Sequence, residues 1–181
     1  MPLLAKEPDM LPDDFFALPQ ETFPWLVVHV RSRQEKTLAR HLVRHAIPFY
    51  LPLMSSERVR AGRRLRSHVP LFPGYVFLRG TASDVIWRSG AAVNLLEVAD
   101  QDRLGSELEQ IRRLQVAGAS FQPLVELAPG DAVRITDGAF SGYSGRVVRE
   151  KGRERLIVDI SLLSRSVAVE LERSRLTPAR P

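Results

Sequence analysis

Leu71-Phe72-Pro73-Gly74-Tyr75-Val76-Phe77-Leu78 is the stretch on which the reading of this chain turns. Pro73-Gly74 predicts a tight turn, because proline fixes a negative φ and glycine accepts the positive φ that follows. Tyr75 to Leu78 then continues as a strand of aromatic and apolar residues. Alternate residues of a strand share a face, so Tyr75 and Phe77 lie on one side and Val76 and Leu78 on the other. Upstream, Trp25-Leu26-Val27-Val28-His29-Val30 has the pattern of a buried strand. Ser32-Arg33-Gln34-Glu35 has capping-box spacing, and Leu38, Leu42 and Ala46, helped by Ala39 and Val43, put one apolar stripe on the helix it would open. Pro48 ends that helix, and Phe49-Tyr50-Leu51 begins another strand. Arg58 to Arg66 reads as a projecting basic hairpin turning at Ala61-Gly62, since five arginines are not buried together. Downstream come a short helix over 83–89 and a strand over 93–98. Leu104, Leu108, Ile111 and Leu114 then mark an amphipathic helix with Gly118 as its stop. This order predicts an α+β fold whose first domain is an α/β sandwich, with helices on one face of an antiparallel sheet.

The flanks differ in character. Residues 1–24 hold five prolines and one cation, Lys6, against five carboxylates, and read as a flexible acidic leader. Residues 119–129 lose periodicity and read as a linker after a domain over 25–118. From Gly130 to the end the pattern is strand-like, with turn signals at Asp137-Gly138, Ser141-Gly142, Ser144-Gly145 and Lys151-Gly152. Short strands joined by tight turns predict a small β-barrel domain over 130–181.

Composition narrows the function. Of 181 residues, 44% are hydrophobic and 26% charged, values ordinary for a chain that buries a core. There is no cysteine, hence no disulfide, thiol nucleophile or Cys-type zinc site. No apolar run has the length of a membrane span, and no secretory signal is visible, which sets the expectation of a cytoplasmic protein. His41 and His45 have the i, i+4 spacing of zinc proteases, but Leu42 stands where those enzymes carry a glutamate and no third ligand offers itself. No nucleophile elbow, phosphate loop or carboxylate pair stands out, so the expectation is no enzyme, no metal and no cofactor. Net charge is +5, and between Arg31 and Arg66 ten Lys/Arg face two carboxylates, Glu35 and Glu57. So dense a basic stretch points to an anionic polymer, nucleic acid first.

With these residues laid out, the chain resembles the NusG family of transcription elongation and antitermination factors, in particular its specialised paralogs. The resemblance rests on Trp25, Glu35, Pro52, the stretch from Leu71 to Phe77, a KOW-like segment from Gly130 to Arg146, and Val167-Ala168-Val169-Glu170-Leu171. It implies a NusG-like N-terminal domain and an SH3-like KOW barrel without enzymatic activity. It also implies a monomer that binds the clamp helices of RNA polymerase through an apolar patch and suppresses pausing or termination. The candidates for that patch are Phe49, Phe72, Tyr75, Phe77 and Leu96, with Tyr75 and Phe77 as the contact pair and Trp25 in the core. Arg31, His41 and Arg44 fall where the paralogs touch the non-template DNA strand, and Arg58, Arg60, Arg63, Arg64 and Arg66 form a second basic element. Phe140, Leu163 and Arg165 are the positions implied for a partner of the KOW domain, Rho or the small ribosomal subunit in the family.

Three departures mark this chain. Trp87-Arg88-Ser89 stands in place of a threonine-rich stretch of the best-known paralogs. Leu162-Leu163-Ser164-Arg165 replaces an Ile-Phe-Gly-Arg stretch and loses its aromatic, and the acidic leader is an addition that reads as a passive extension, with shielding of the basic surface as the alternative. Some paralogs refold their KOW domain as helix. Here the β-branched pairs Val147-Val148 and Ile157-Val158 predict a constitutive barrel. The alternative reading is a KOW-type RNA-binding or ribosome-associated protein without polymerase contact; a DNA-acting enzyme is the second rival.

Overall fold

Alternation in the sequence sorts into two faces of one antiparallel sheet. The computed structural model describes residues 8–60, 63–81, 83–119, 121–124, 132–134, 144–150, 153–160, 163, 165–170 and 177–178. The chain divides into two compact units, Met1–Gln101 and Asp102–Pro181. In the first run β1 (Met10–Leu11), a 3-10 turn (Phe15–Ala17), β2 (Trp25–Val30), α1 (Glu35–Arg44), β3 (Phe49–Tyr50), β4 (Leu53–Arg60), β5 (Arg63–Pro70), β6 (Tyr75–Arg79), α2 (Asp84–Arg88) and β7 (Ala92–Leu96). β4 and β5 pair as a separate two-stranded ribbon in which Arg60 faces Arg63. The other strands form a five-stranded sheet in the order β1-β3-β6-β2-β7.

Register shows why both strands of the central pair had to be apolar. Val28 pairs with Val76 and Phe49 with Leu78. On this face they meet Leu38, Ala39 and Leu42 of α1 and Ile86 of α2 in one core. Each such side chain taken out of water stabilises the fold by roughly 1.5–3 kcal/mol. The other face carries Trp25, Val27, Tyr50 and Phe77, Val27 pairing with Phe77 and Tyr50 with Phe77 across β6. All four are buried.

Part of the cover on that second face comes from the N-terminal segment, which corrects the expectation of a flexible leader for residues 8–24; residues 1–7 of that reading lie outside the described residues. Phe15 is fully buried, edge-on to the Trp25 ring at 5.5 Å and 6.2 Å from that of Tyr50. Phe16 stands edge-on to Tyr50 at 5.1 Å. The backbone is tied as well: Met10 and Leu11 pair with Tyr50 and Phe49, and the Leu51 N–H donates to the Asp9 carbonyl at 2.6 Å. The Arg79 guanidinium clamps the rest. Its Nε donates to the Phe23 carbonyl and its Nη2 to the Leu18 carbonyl, each at 2.6 Å, while its carbon centre lies 4.6 Å from the Trp25 ring centroid. Average polarity concealed this, because two adjacent rings suffice to anchor a segment that is otherwise proline and carboxylate.

The ends of α1 also differ from the capping-box expectation. Gln34 is the N-cap and makes no side-chain capping bond. Glu35 instead is buried, and its Oε1 accepts from the Gly74 N–H at 2.7 Å. The carboxylate therefore latches α1 onto the Pro73-Gly74 turn, where Gly74 has φ +89 as a turn glycine should. At the other end the Ile47 N–H reaches back to the Leu42 carbonyl at 3.0 Å, and Ala46 takes φ +51. Ala46 is thus the left-handed residue after the helix and is exposed, not part of the apolar stripe. Ala46→Gly is expected to raise stability by about 0.5–1 kcal/mol, because glycine has no Cβ to strain there; a urea titration of the full chain measures it.

All but the first residue of α3 (Gln101–Val116) belongs to the second unit. Its Leu104, Leu108, Ile111 and Leu114 form one buried stripe. Gly118 at φ +73 ends it as predicted, the Ala119 N–H reaching the Leu114 carbonyl. Then come β8 (Phe121–Leu124), β9 (Ala132–Arg134), β10 (Ser144–Glu150), β11 (Arg153–Ile160), β12 (Arg165–Glu170) and β13 (Thr177–Pro178). They make an antiparallel sheet in the order β13-β9-β10-β11-β12-β8. β8 corrects the linker reading over 119–129: Phe121 is buried and pairs with Val169, so the sheet recruits 121–124 as an edge strand. Pro123 fits there because an edge position leaves its missing N–H without consequence.

Candidate nucleic-acid interface

α1 lays its apolar stripe on the sheet and turns its cations outward. Arg40, Arg44 and His45 are exposed on it, and Arg31 and Arg33 are exposed just before it. The one carboxylate of α1, Glu35, is held inside by Gly74, so it does not offset those charges at the surface. Arg31 is fixed by its backbone, its N–H donating to the Ala91 carbonyl at 2.9 Å and its carbonyl accepting from the Gln34 N–H at 3.0 Å. The side chain is left to reach outward.

Of the three residues predicted along this ridge, Arg31 and Arg44 are exposed and His41 is not. The His41 ring is half-buried, with Nε2 2.8 Å from the Val85 carbonyl. A carbonyl only accepts, so that nitrogen carries the proton and ties α1 to α2. The ring also packs against that of His45, with centroids 4.6 Å apart. Among the described residues no group of three His, Cys, Asp or Glu is placed to hold a metal ion.

Charge is polarised across the sheet. The exposed carboxylates Asp13, Asp14 and Glu21 belong to the segment that anchors on the Trp25–Tyr50 face, whereas α1 packs on the opposite face. The alternative of a shielding leader is therefore not met at α1 by residues 8–24. In the ribbon, register sets Arg60 opposite Arg63, Arg58 opposite Leu65 and Arg64 opposite Val59, so four arginines fall in its last three pairs.

The predicted apolar patch is divided. Phe49, Phe72 and Phe77 are buried, with Phe72 edge-on to Phe77 at 5.9 Å. All three are core: Phe72 and Phe77 lie where the face that Tyr75 shares is covered, and Phe49 packs on the opposite face beneath α1. Tyr75 and Leu96 are half-buried at its margin, and Tyr75 lies against the His29 ring at 5.3 Å. For the second unit, Leu163 is buried, Arg165 opens β12 opposite Ile160, and Phe140 lies outside the described residues.

Three roles escaped the sequence: the Glu35 latch, the Arg79 clamp and an exposed Trp87. Arg79 did leave a signal, a cation two residues beyond Phe77 and so on the same buried face.

A family model described as transcription termination factor nusG matches residues 23–99. The transcription termination/antitermination protein NusG of Escherichia coli K12 is 31% identical over 174 residues, spanning 86% of this chain and 96% of that protein. That of Yersinia pestis is 31% identical over 171 residues, spanning 84% and 94%. The chain belongs to the NusG family. Among solved structures, NusG of Thermotoga maritima aligns with 90% of this chain and 100% of its own at 19% identity and TM-score 0.49. Membership in the NusG family carries the general role of a transcription factor rather than an enzyme. The family match begins at residue 23, so Phe15 and Phe16 precede it and the segment they anchor lies before the matched NusG segment. Among the described residues no helix is long and apolar enough to cross a membrane.

Proposed function

We propose that this NusG protein is a transcription elongation and antitermination factor that binds RNA polymerase at the clamp and suppresses pausing or termination. Its first domain would span 25–118, braced by residues 8–24, and its second, from 130 onward, would be a KOW barrel. The reading is supported most by the polarised surface. Arg31 and Arg44 stand on the outer side of α1, the acidic segment is anchored on the opposite face, and a half-buried Tyr75 and Leu96 lie at the sheet's margin. A protein so polarised approaches a polyanion in one orientation, with contacts to phosphates that position it without reading sequence. Holding the clamp shut changes elongation only if the closed state is bound better than the open one. Leu163 in place of the family's aromatic supports a specialised paralog.

Tyr75→Ala is expected to abolish most pause relief in a purified elongation assay while leaving the thermal unfolding midpoint nearly unchanged. Leu96→Ala should act in the same direction. Pause relief equal to the parent's in the double variant would overturn the proposed contact.

A further inference from the structure

The sheet face that carries Trp25 and Phe77 differs at its two ends. Residues 8–24 cover the end with Trp25, Tyr50 and Arg79. At the other end register sets His29 of β2 between Tyr75 of β6 and Asn94 of β7, with Leu96 opposite Val27 one step along. Directly opposed residues share a face, so His29, Tyr75, Asn94 and Leu96 are neighbours on it. His29 and Tyr75 are half-buried, their ring centroids 5.3 Å apart and their planes 33° from parallel. The imidazole also lies against the turn, since a Cβ on Gly74 would stand 3.6 Å from its Cδ2 and 3.7 Å from its Nε2. Among the described residues nothing hydrogen-bonds the His29 ring nitrogens or the Tyr75 hydroxyl. Two packed rings with unspent polar atoms are the kind of side chain that anchors a protein interface.

We propose that His29 is a polymerase-contact residue that makes the contact sensitive to pH, its neutral imidazole being accepted beside Tyr75 and Leu96 and its imidazolium rejected. The inference rests on the polymerase reading of Tyr75 given above and adds a second contact residue and the proton that regulates it. A partner that covers Tyr75 takes water from the ring packed on it. Neutral imidazole tolerates that, whereas a buried charge is costly unless paired. The groups around it are the Tyr75 phenol on β6, the Asn94 amide on β7 and the Glu35 carboxylate of α1, with Arg31 exposed two residues on. The one carboxylate in that set is already bonded to the Gly74 N–H. Histidine is the side chain that ordinarily changes charge near neutral pH, so the selection falls in the range where a cell varies.

The test is the affinity of the full chain, labelled at its N-terminus, for purified core RNA polymerase, read by anisotropy between roughly pH 8 and pH 5.5. The parent is expected to lose affinity as pH falls, approaching about tenfold per pH unit in the acid limb, the slope for one proton released on binding. His29→Phe keeps a ring against Gly74 and Tyr75, so it should bind as the parent does at the alkaline end and show a flatter profile. The polymerase's own titrations are common to both proteins, and the difference between the two profiles isolates His29. His29→Lys, a cation throughout this range, should bind at least about tenfold more weakly at every pH. Thermal midpoints at each pH separate loss of contact from loss of fold. Superimposable profiles for the parent and His29→Phe, with Tyr75→Ala still weakening binding, would overturn the role of His29 and leave the polymerase contact standing. Undiminished binding by Tyr75→Ala would overturn both.

Discussion

Phe15→Ala is expected to destabilise the first unit by about 3–5 kcal/mol, the range for deleting a buried phenyl ring. Phe15 is fully enclosed and meets three other rings, Phe16 at 5.3 Å, Trp25 and Tyr50. Two effects add. The cavity lies between the segment and the sheet, so dispersion is lost on both sides, and edge-to-face pairs contribute about 0.5–1.5 kcal/mol beyond buried area. Phe16→Ala should cost less, since that ring is already partly in water. Urea unfolding followed by Trp25 emission is the measurement, in a Trp87→Phe background so that one indole reports. A shift under about 0.5 kcal/mol, ordinary for surface substitutions, would mean that the segment is the passive extension its composition suggests.

What could be read in advance was whatever local pattern determines. Trp25–Val30 and the Tyr75 strand announced themselves by apolar density, and α3 by its four leucine-type positions and Gly118. What could not be read depends on partners distant in sequence. Alternation placed Tyr75 and Phe77 on one face, yet only the tertiary structure reveals that Phe77 is covered and Tyr75 marginal. The capping-box spacing at Ser32 was present, but Glu35 gains more from the part-buried N–H at Gly74 than from one exposed at a helix end, and tertiary context won. Likewise the basic count from Arg31 to Arg66 was legible, whereas the sorting of acidic and basic segments to opposite faces required the register of the sheet.

Arg79→Met is expected to cost about 3 kcal/mol, for reasons independent of any cavity. Methionine keeps most of the aliphatic stem, so what is lost is the guanidinium fork. It donates two short charge-assisted bonds to the Phe23 and Leu18 carbonyls and lies over the Trp25 face. Hydrogen bonds to a charged group contribute about 1.5–3 kcal/mol each, and a desolvated cation over an indole about 2. Against these stands the cost of desolvating the cation, which pushes the Arg79 pKa down from its ordinary value. Arg79→Lys should recover only part, because a single ammonium point cannot span two carbonyls as a planar fork does. The decisive comparison is a double-mutant cycle. Both Phe15 and Arg79 hold residues 8–24 to the same face, so once one is removed the segment is already loosened and the second substitution should cost less than it does alone. A coupling of at least about 0.5 kcal/mol is expected. Strict additivity would mean that the two braces act on separate structures and that the segment is not docked as one body.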